Sequence, residues 1–446
     1  MRRFWSNKDG NIAVLFAIAI VPVVGAIGAA ADYSLANSYR TDMQKALDST
    51  SLALSKIMPA SQSTLDTVGL QYFLASMGPN SLDNLALVIT PDVGQVRIRA
   101  SGTYSPRIAN VLGLSSFEIS TEATAKWSLG KVEVALALDN TGSMSSNNKL
   151  VELKKAAHDL LNVLQVAAKV PGDAKVAIIP FDRMVNVSMN TYLNANVIKW
   201  DYWDEKYGTC SISGNSNQTS CTSDHKCVGA SGSTKKKCEG NGGTWTAGVW
   251  TPTNHNQWNG CVVDRDKDPA GTDNDVKDTA PDAAIPATHY PAAKCGSVVS
   301  IMPLNYDWTA LGNKIDAMSA AGNTNVTIGL AWAWHALTST SPLTEGASKG
   351  TANLTKFIIL LTDGDNTQNR WTTTQSQIDA RTELACANVK ADGIRLYTVR
   401  VIDGNADLLR NCATSPSMYY DVQNAAELSS VFNTIGAEIA SLHLMK

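Results

Sequence analysis

Close to its N-terminus the chain carries 20 consecutive residues without a charge, Ile12–Ala31. At 1.5 Å per residue, a helix of that length reaches across a hydrocarbon core of about 30 Å. Pro22, Gly25 and Gly28 interrupt it, which membrane helices tolerate better than soluble ones. The apolar run passes without a turn into helical sequence, with Ala36, Met43, Ala46, Leu47, Leu52 and Leu54 set among polar residues between Tyr33 and Lys56. Ser61–Met77 reads as a second helix. Leu85–Thr90, Gly94–Ser101 and Phe117–Trp127 alternate apolar and polar residues as strands do.

From Lys131 the pattern changes to strands alternating with helices, which predicts a parallel α/β sheet. Val132–Leu138 is an apolar strand broken only by Glu133, Leu150–Ala168 an amphipathic helix and Ala174–Pro180 the next strand. Phe357–Leu361, Gln375–Lys390, Ile394–Val401 and Ala425–Leu442 continue as strand, helix, strand and helix. Between the halves, Asn190–Pro303 holds six Cys and five Trp with little periodicity. A loop that long fits a compact domain only as its own cross-linked unit, so it reads as a disulfide-stapled insertion in which the tryptophans pack. Exposure of the same rings as a recognition patch is the alternative.

Composition narrows the class. The 446 residues suffice for several modules, and 37 Lys+Arg against 40 Asp+Glu leave no basic face for nucleic acid. Only one segment is apolar enough to span a bilayer, which excludes a polytopic transporter. Arg2, Arg3 and Lys8 precede it, and the positive-inside rule keeps the N-terminus cytoplasmic with the bulk exported. A cleaved signal peptide ending at Ala29-Ala30-Ala31 is the rival reading, and it exports the bulk equally.

Export means an oxidising compartment, where the 8 Cys pair as disulfides. Cys210, Cys221, Cys227, Cys238, Cys261 and Cys295 show no CxxC spacing, so zinc fits poorly despite His225 and His255. Six cysteines allow 15 pairings, and the sequence does not choose among them. Cys386 and Cys412 form the expected fourth bridge.

The most informative segment is Asp139-Asn140-Thr141-Gly142-Ser143-Met144, at the end of the first α/β strand. Ligands bind outside the carboxyl ends of strands in open α/β sheets, and a carboxylate with two hydroxyls there offers hard oxygen donors suited to Mg²⁺. A strand-to-helix turn whose hydroxyls only cap the next helix is the plainer reading. Two further elements follow in order: Gly322-Asn323-Thr324-Asn325 before an apolar helix (Ile328–Leu337), and Thr362-Asp363-Gly364 after a strand. Together they resemble the metal-ion-dependent adhesion site of von Willebrand factor A domains. The resemblance implies that Thr141, Ser143 and Thr324 coordinate through hydroxyls, and that Asp139 and Asp363 bind largely through water. It leaves one position open to a partner's carboxylate.

The N-terminal part resembles TadE/TadG-like (Flp, tight-adherence) pilus-assembly proteins in Lys8-Asp9-Gly10-Asn11-Ile12-Ala13-Val14 and in Ala31-Asp32-Tyr33-Ser34. Asp365-Asn366-Thr367-Gln368-Asn369-Arg370-Trp371, Trp258-Asn259-Gly260-Cys261, Ile301-Met302-Pro303-Leu304 and the Cys386/Cys412 pair look like TadG-like members. One departure is that processed prepilins carry Glu five positions after the scissile Gly, whereas Leu15 stands there counting from Gly10. That speaks against processing at Gly10.

The expected layout is a cytoplasmic tail (1–11), a transmembrane helix (12–32), a pilin-like helix and strand-rich head (33–129) and an α/β von Willebrand factor A domain (130–446) with the insertion at 190–303. The implied protein is a single-pass bacterial inner-membrane component of Flp-type pilus biogenesis, facing the periplasm. Its partners would be pilus-assembly or secretion-platform proteins. A secreted or surface adhesin using the same metal site is the alternative. A cytosolic chelatase-like role conflicts with the export signal. No catalytic motif stands out, so an enzyme is not expected. Asp264, Asp266, Asp268 and Asp275 are spaced like a calcium loop, with Pro269 where such a loop demands Gly; a solvated acidic loop is the other reading.

Overall fold

The structure is a computed structural model that describes the chain except residues 1–10, 58–59, 79–81, 93–94, 114, 127–129, 169, 193–195, 268–270, 272 and 445–446. It divides into two compact units, Met1–Ser128 and Leu129–Lys446.

In the first unit, α1 (Asn11–Ile57) joins the apolar run and the amphipathic stretch in one 47-residue helix. Its N-terminal part is bare, with Val14, Leu15, Phe16, Ile18, Val21 and Ile27 exposed. An exposed apolar surface of this extent marks a membrane or protein contact. The C-terminal part packs Met43, Ala46, Leu47 and Leu54 against α2 (Gln62–Met77) and a three-stranded antiparallel sheet of β1 (Asp83–Asp92), β2 (Gln95–Tyr104) and β3 (Phe117–Lys126). Alternation places Val96, Ile98 and Ala100 of β2 inward. Ser61 caps α2 by accepting from the Thr64 amide.

The second unit is built on β4 (Lys131–Asp139), α3 (Lys149–Ala167), β5 (Ala174–Phe181), α4 (Trp308–Asp316), α5 (Val326–Ala336), β6 (Leu354–Thr362), α6 (Gln375–Ala391), β7 (Arg395–Val401), β8 (Tyr419–Val422) and α7 (Leu428–Leu444). The parallel order is β8-β7-β6-β4-β5, with β4 paired on both sides, to β6 and β5. Val134, Leu136 and Leu138 point into the layer shared with α3 and α7, while Ala135 and Ala137 meet the α5 side. Burial on both faces explains why β4 reads as a continuous apolar run. Glu133, its one interruption, is buried against Lys356 at 3.3 Å and accepts from the Ala347 amide at 2.9 Å.

The segment expected to stand apart as a cross-linked unit does so only in part. Short strands Val185–Asn186, Cys261–Val262, Tyr290–Ala293 and Ile198–Lys199 carry the main sheet onward from β5, and Met302–Asn305 pairs antiparallel with β5. The portion from Gly208 to Pro252 holds two small two-stranded sheets. Strands of two to four residues leave no readable alternation, which is why they escape a sequence pattern. Bridges join Cys210–Cys221, Cys227–Cys238, Cys261–Cys295 and Cys386–Cys412. Trp203 and Trp258 are fully buried, and the indole N–H of each donates to a backbone carbonyl.

Candidate metal centre

The parallel register puts the carboxyl ends of β4, β5 and β6 on one edge, and the chain leaves β4 and β6 there at Asp139 and Asp363. Asp139 is fully buried. One of its oxygens accepts from the Thr141 amide at 2.8 Å, the other from the Thr362 hydroxyl at 2.6 Å. Thr141 Oγ1 and Ser143 Oγ lie 3.0 Å apart, and Ser143 Oγ donates to Asp363 at 2.6 Å.

The third loop comes in through its backbone. The Gly142 amide donates to the Gly322 carbonyl at 3.0 Å, and the Thr324 amide donates to Thr367 Oγ1 at 2.8 Å. A methyl group placed on Gly364 would lie 3.5 Å from Ser143 Oγ and 3.6 Å from Thr324 Oγ1. Thus Asp139, Thr141, Ser143, Thr324 and Asp363, called from three separate stretches of sequence, converge beside Gly364. Thr141, Thr324 and both aspartates are buried, while Ser143 is exposed and marks the open side.

Two buried carboxylates this close repel. Burial, and then the charge of Asp363, push Asp139 up to about 6. Buried Lys149, at the start of α3, donates to Asp363 at 2.8 Å and to Asp403 at 3.1 Å. Burial alone would lower its pKa, but the hydrogen bonds and charges of Asp363 and Asp403 hold it above the ordinary lysine value. The residues fit a hard divalent cation: all side-chain donors are oxygen, and Asp139 gains from added positive charge. No group of three or more His, Cys, Asp or Glu that could hold a metal ion occurs among the described residues, so this centre relies on hydroxyls beside its two carboxylates.

Several residues of the site carry no sequence signal. A lone Lys at a helix start is unremarkable, yet Lys149 is the ammonium facing Asp363. Asp182, just past β5, is buried; burial pushes it up to about 6, and it accepts from the Met184 amide at 2.6 Å. Its backbone carbonyl accepts from the Asn325 amide at 3.3 Å.

The calcium reading of the acidic loop is corrected. Asp264 binds Arg381 and accepts from Asn325 Nδ2 at 2.9 Å and from the Arg370 amide at 3.0 Å. Asp275 binds Arg265 at 2.8 Å and Arg381 at 2.6 Å, and Asp266 binds Lys199 at 2.6 Å and Arg370. Fixed guanidinium and ammonium groups occupy the places of a cation, and Asp268 lies outside the described residues. The loop is not simply solvated either. Asp264 ties the insertion to Asn325, next to Thr324, and to Arg370, which follows the Asp363 loop.

A parallel sheet with hydroxyls and two aspartates at this edge is the arrangement that the resemblance to von Willebrand factor A domains implies. Residues 295–434 match the von Willebrand factor type A domain model, and residues 10–54 match the Tad model, Flp pilus-assembly TadE/G-like. The chain therefore joins a TadE/G-like segment to a von Willebrand factor A domain. The second match begins near the end of the insertion, but β4 and β5 lie in the same sheet as the matched strands.

No curated protein matches the chain. Among solved structures, it is similar to the vWF domain of the type V pili tip protein Mfa5 from Porphyromonas gingivalis (11% identity, 72% of this chain and 98% of that one, TM-score 0.37). It is also similar to the pilus adhesin SpaC from Lactobacillus rhamnosus GG in its open conformation (11% identity, 80% and 33%, TM-score 0.37). A third is proximal thread matrix protein 1 from the mussel byssus with a zinc occupied MIDAS motif (12% identity, 70% and 46%, TM-score 0.33). The chain spans about a third of SpaC, at 33%.

Proposed function

We propose that this is a membrane-anchored, periplasm-facing component of Flp-type pilus biogenesis that holds an envelope partner through a divalent cation, with a binding rather than a catalytic role. Asp139, Thr141, Ser143, Thr324 and Asp363 would hold the ion, Mg²⁺ by the hardness of the donors. Bound there, the ion supplies a positive point charge able to grip a partner's carboxylate. The chain's own part is to hold the hydroxyls in place through the Gly142–Gly322 and Thr324–Thr367 hydrogen bonds and to leave Ser143 open to solvent. Residues 12–32 would span the inner membrane with the N-terminus cytoplasmic, which the bare apolar part of α1 supports.

The carrying observation is the convergence of two buried carboxylates and three hydroxyls in a chain whose N-terminus is TadE/G-like. The test is purification after cross-linking, in Mg²⁺ and in EDTA, with Asp139→Ala alongside, and identification of co-purifying proteins by mass spectrometry. Pilus-machinery partners lost in both EDTA and the variant are expected. Partners retained in both would refute the metal bridge, and surface labelling on intact cells without envelope partners would favour an adhesin.

A further inference from the structure

Where α1 leaves its apolar stretch, a loop of the head folds back onto it. The head would then contact the membrane a second time. Ser105–Gly113 connects β2 to β3 through a short 3-10 turn at Ala109–Leu112. Its anchor is Asp32 of α1, a buried carboxylate at the end of the apolar run. Asp32 accepts from the amides of Arg107 at 3.1 Å, Ile108 at 2.8 Å and Ala109 at 2.6 Å, and from the Tyr104 hydroxyl at 3.3 Å.

From there Ile108 reaches back along the helix to Gly28, packed so closely that a methyl group on Gly28 would collide with it. Gly28 lies four residues before Asp32, about 6 Å along the axis toward the apolar end. Ile108 is nevertheless 45% exposed, and Arg107 beside it is exposed too.

We propose that this loop is a foot inserted at the outer boundary of the bilayer, with Ile108 among the acyl chains and Arg107 reaching the lipid phosphates. The inference rests on the reading of residues 12–32 as a membrane span, and it adds a second lipid contact from a part of the chain that has no hydrophobic run. Any hydrocarbon layer that covers Ile12–Ala31 covers Gly28, and whatever covers Gly28 covers the side chain packed on it. A loop entering that zone needs its backbone donors satisfied, because lipid offers no partners. Asp32 satisfies three consecutive amides there. A long cationic side chain next to an apolar one suits the headgroup boundary, where the stem stays in the apolar layer and the guanidinium in water.

All eight native cysteines are in disulfides, so an introduced cysteine is the sole free thiol. The full chain is reconstituted in phosphatidylcholine nanodiscs as Val21→Cys, Ile108→Cys or Leu70→Cys, each labelled with an environment-sensitive fluorophore. Leu70 is exposed on α2, outside the apolar run. Lipids brominated on their chains should quench the labels at 21 and 108 several-fold and leave that at 70 unchanged. Quenching at 21 without quenching at 108 overturns the foot and leaves the span standing. Quenching at neither overturns the span as well. A label at 108 that is shielded from lipid and cross-links to a second protein assigns the surface to a helix partner instead and overturns the proposal.

Discussion

Lys149→Met is the most direct probe of the charge balance at the metal centre. The ammonium is fully buried and touches Asp363, whose own charge is the second cause of the raised pKa of Asp139. Methionine keeps the unbranched stem and removes the charge, so Asp363 and Asp139 face each other uncompensated. Breaking a buried pair by removing one partner costs about 3–5 kcal/mol, because the remaining charge stays desolvated. At a urea m-value of about 2–3 kcal/mol/M, this lowers the unfolding midpoint by ~1–2.5 M.

A divalent ion in the site restores the missing positive charge, so the loss should be large in EDTA and small in excess Mg²⁺. Wild-type protein gains about 2.7 kcal/mol at a hundredfold excess of metal over its dissociation constant, and the variant should gain more. The assay is urea unfolding of the detergent-solubilised full chain, read by tryptophan fluorescence. Apart from Trp5 and Trp127, every tryptophan of the chain lies in the second unit. A loss under about 1 kcal/mol, or an equal loss in EDTA and Mg²⁺, would refute the reasoning that Lys149 and the cation serve the same carboxylates.

Three further outcomes are expected. Asp139 and Asp182, both lifted from 3.8 to about 6, favour folding fully below about pH 4, and that contribution is lost as pH rises through 6. Asp266 and Asp275, held below the ordinary aspartate range against the push of burial by cationic partners, oppose this trend, so the quantity to measure is wild type minus Asp139→Asn. In EDTA that difference should fall between pH 4 and 6, and in Mg²⁺ it should flatten. Asp264→Asn weakens the tether on Asn325 and Arg370 and should reduce Mg²⁺ affinity by about 10–100-fold in isothermal titration, as loss of a supporting hydrogen bond does at metal sites. Cys386→Ala with Cys412→Ala opens a loop of 26 residues and should cost about 3.5 kcal/mol in chain-entropy terms, visible as a lower urea midpoint without change in metal affinity.

What the sequence makes legible follows from how local each signal is. Asp139, Thr141 and Ser143 sit within five residues, and Thr324 and Asp363 are each flanked by an apolar element, so the candidate site can be read before any contact is known. Lys149 and Asp182 join it only through tertiary geometry, and neither residue type is unusual where it stands. The strand Tyr419–Val422 is too short for a period, and none of the extra strands of the insertion is longer. The aspartates at 264, 266 and 275 look like cation ligands because spacing counts carboxylates and cannot see Arg381, more than a hundred residues away, arriving as their counter-charge.

The disulfides have a consequence for how the chain is made. Each cysteine is joined to the next one along the sequence, with separations of 11, 11, 34 and 26. If the chain is threaded outward from its N-terminal helix, every bridge becomes closable as soon as its second sulfur emerges. No cysteine waits for a partner beyond an unpaired neighbour. An oxidant that couples thiols strictly in order of appearance would reach the native set on the first pass, and reshuffling would be dispensable during biogenesis.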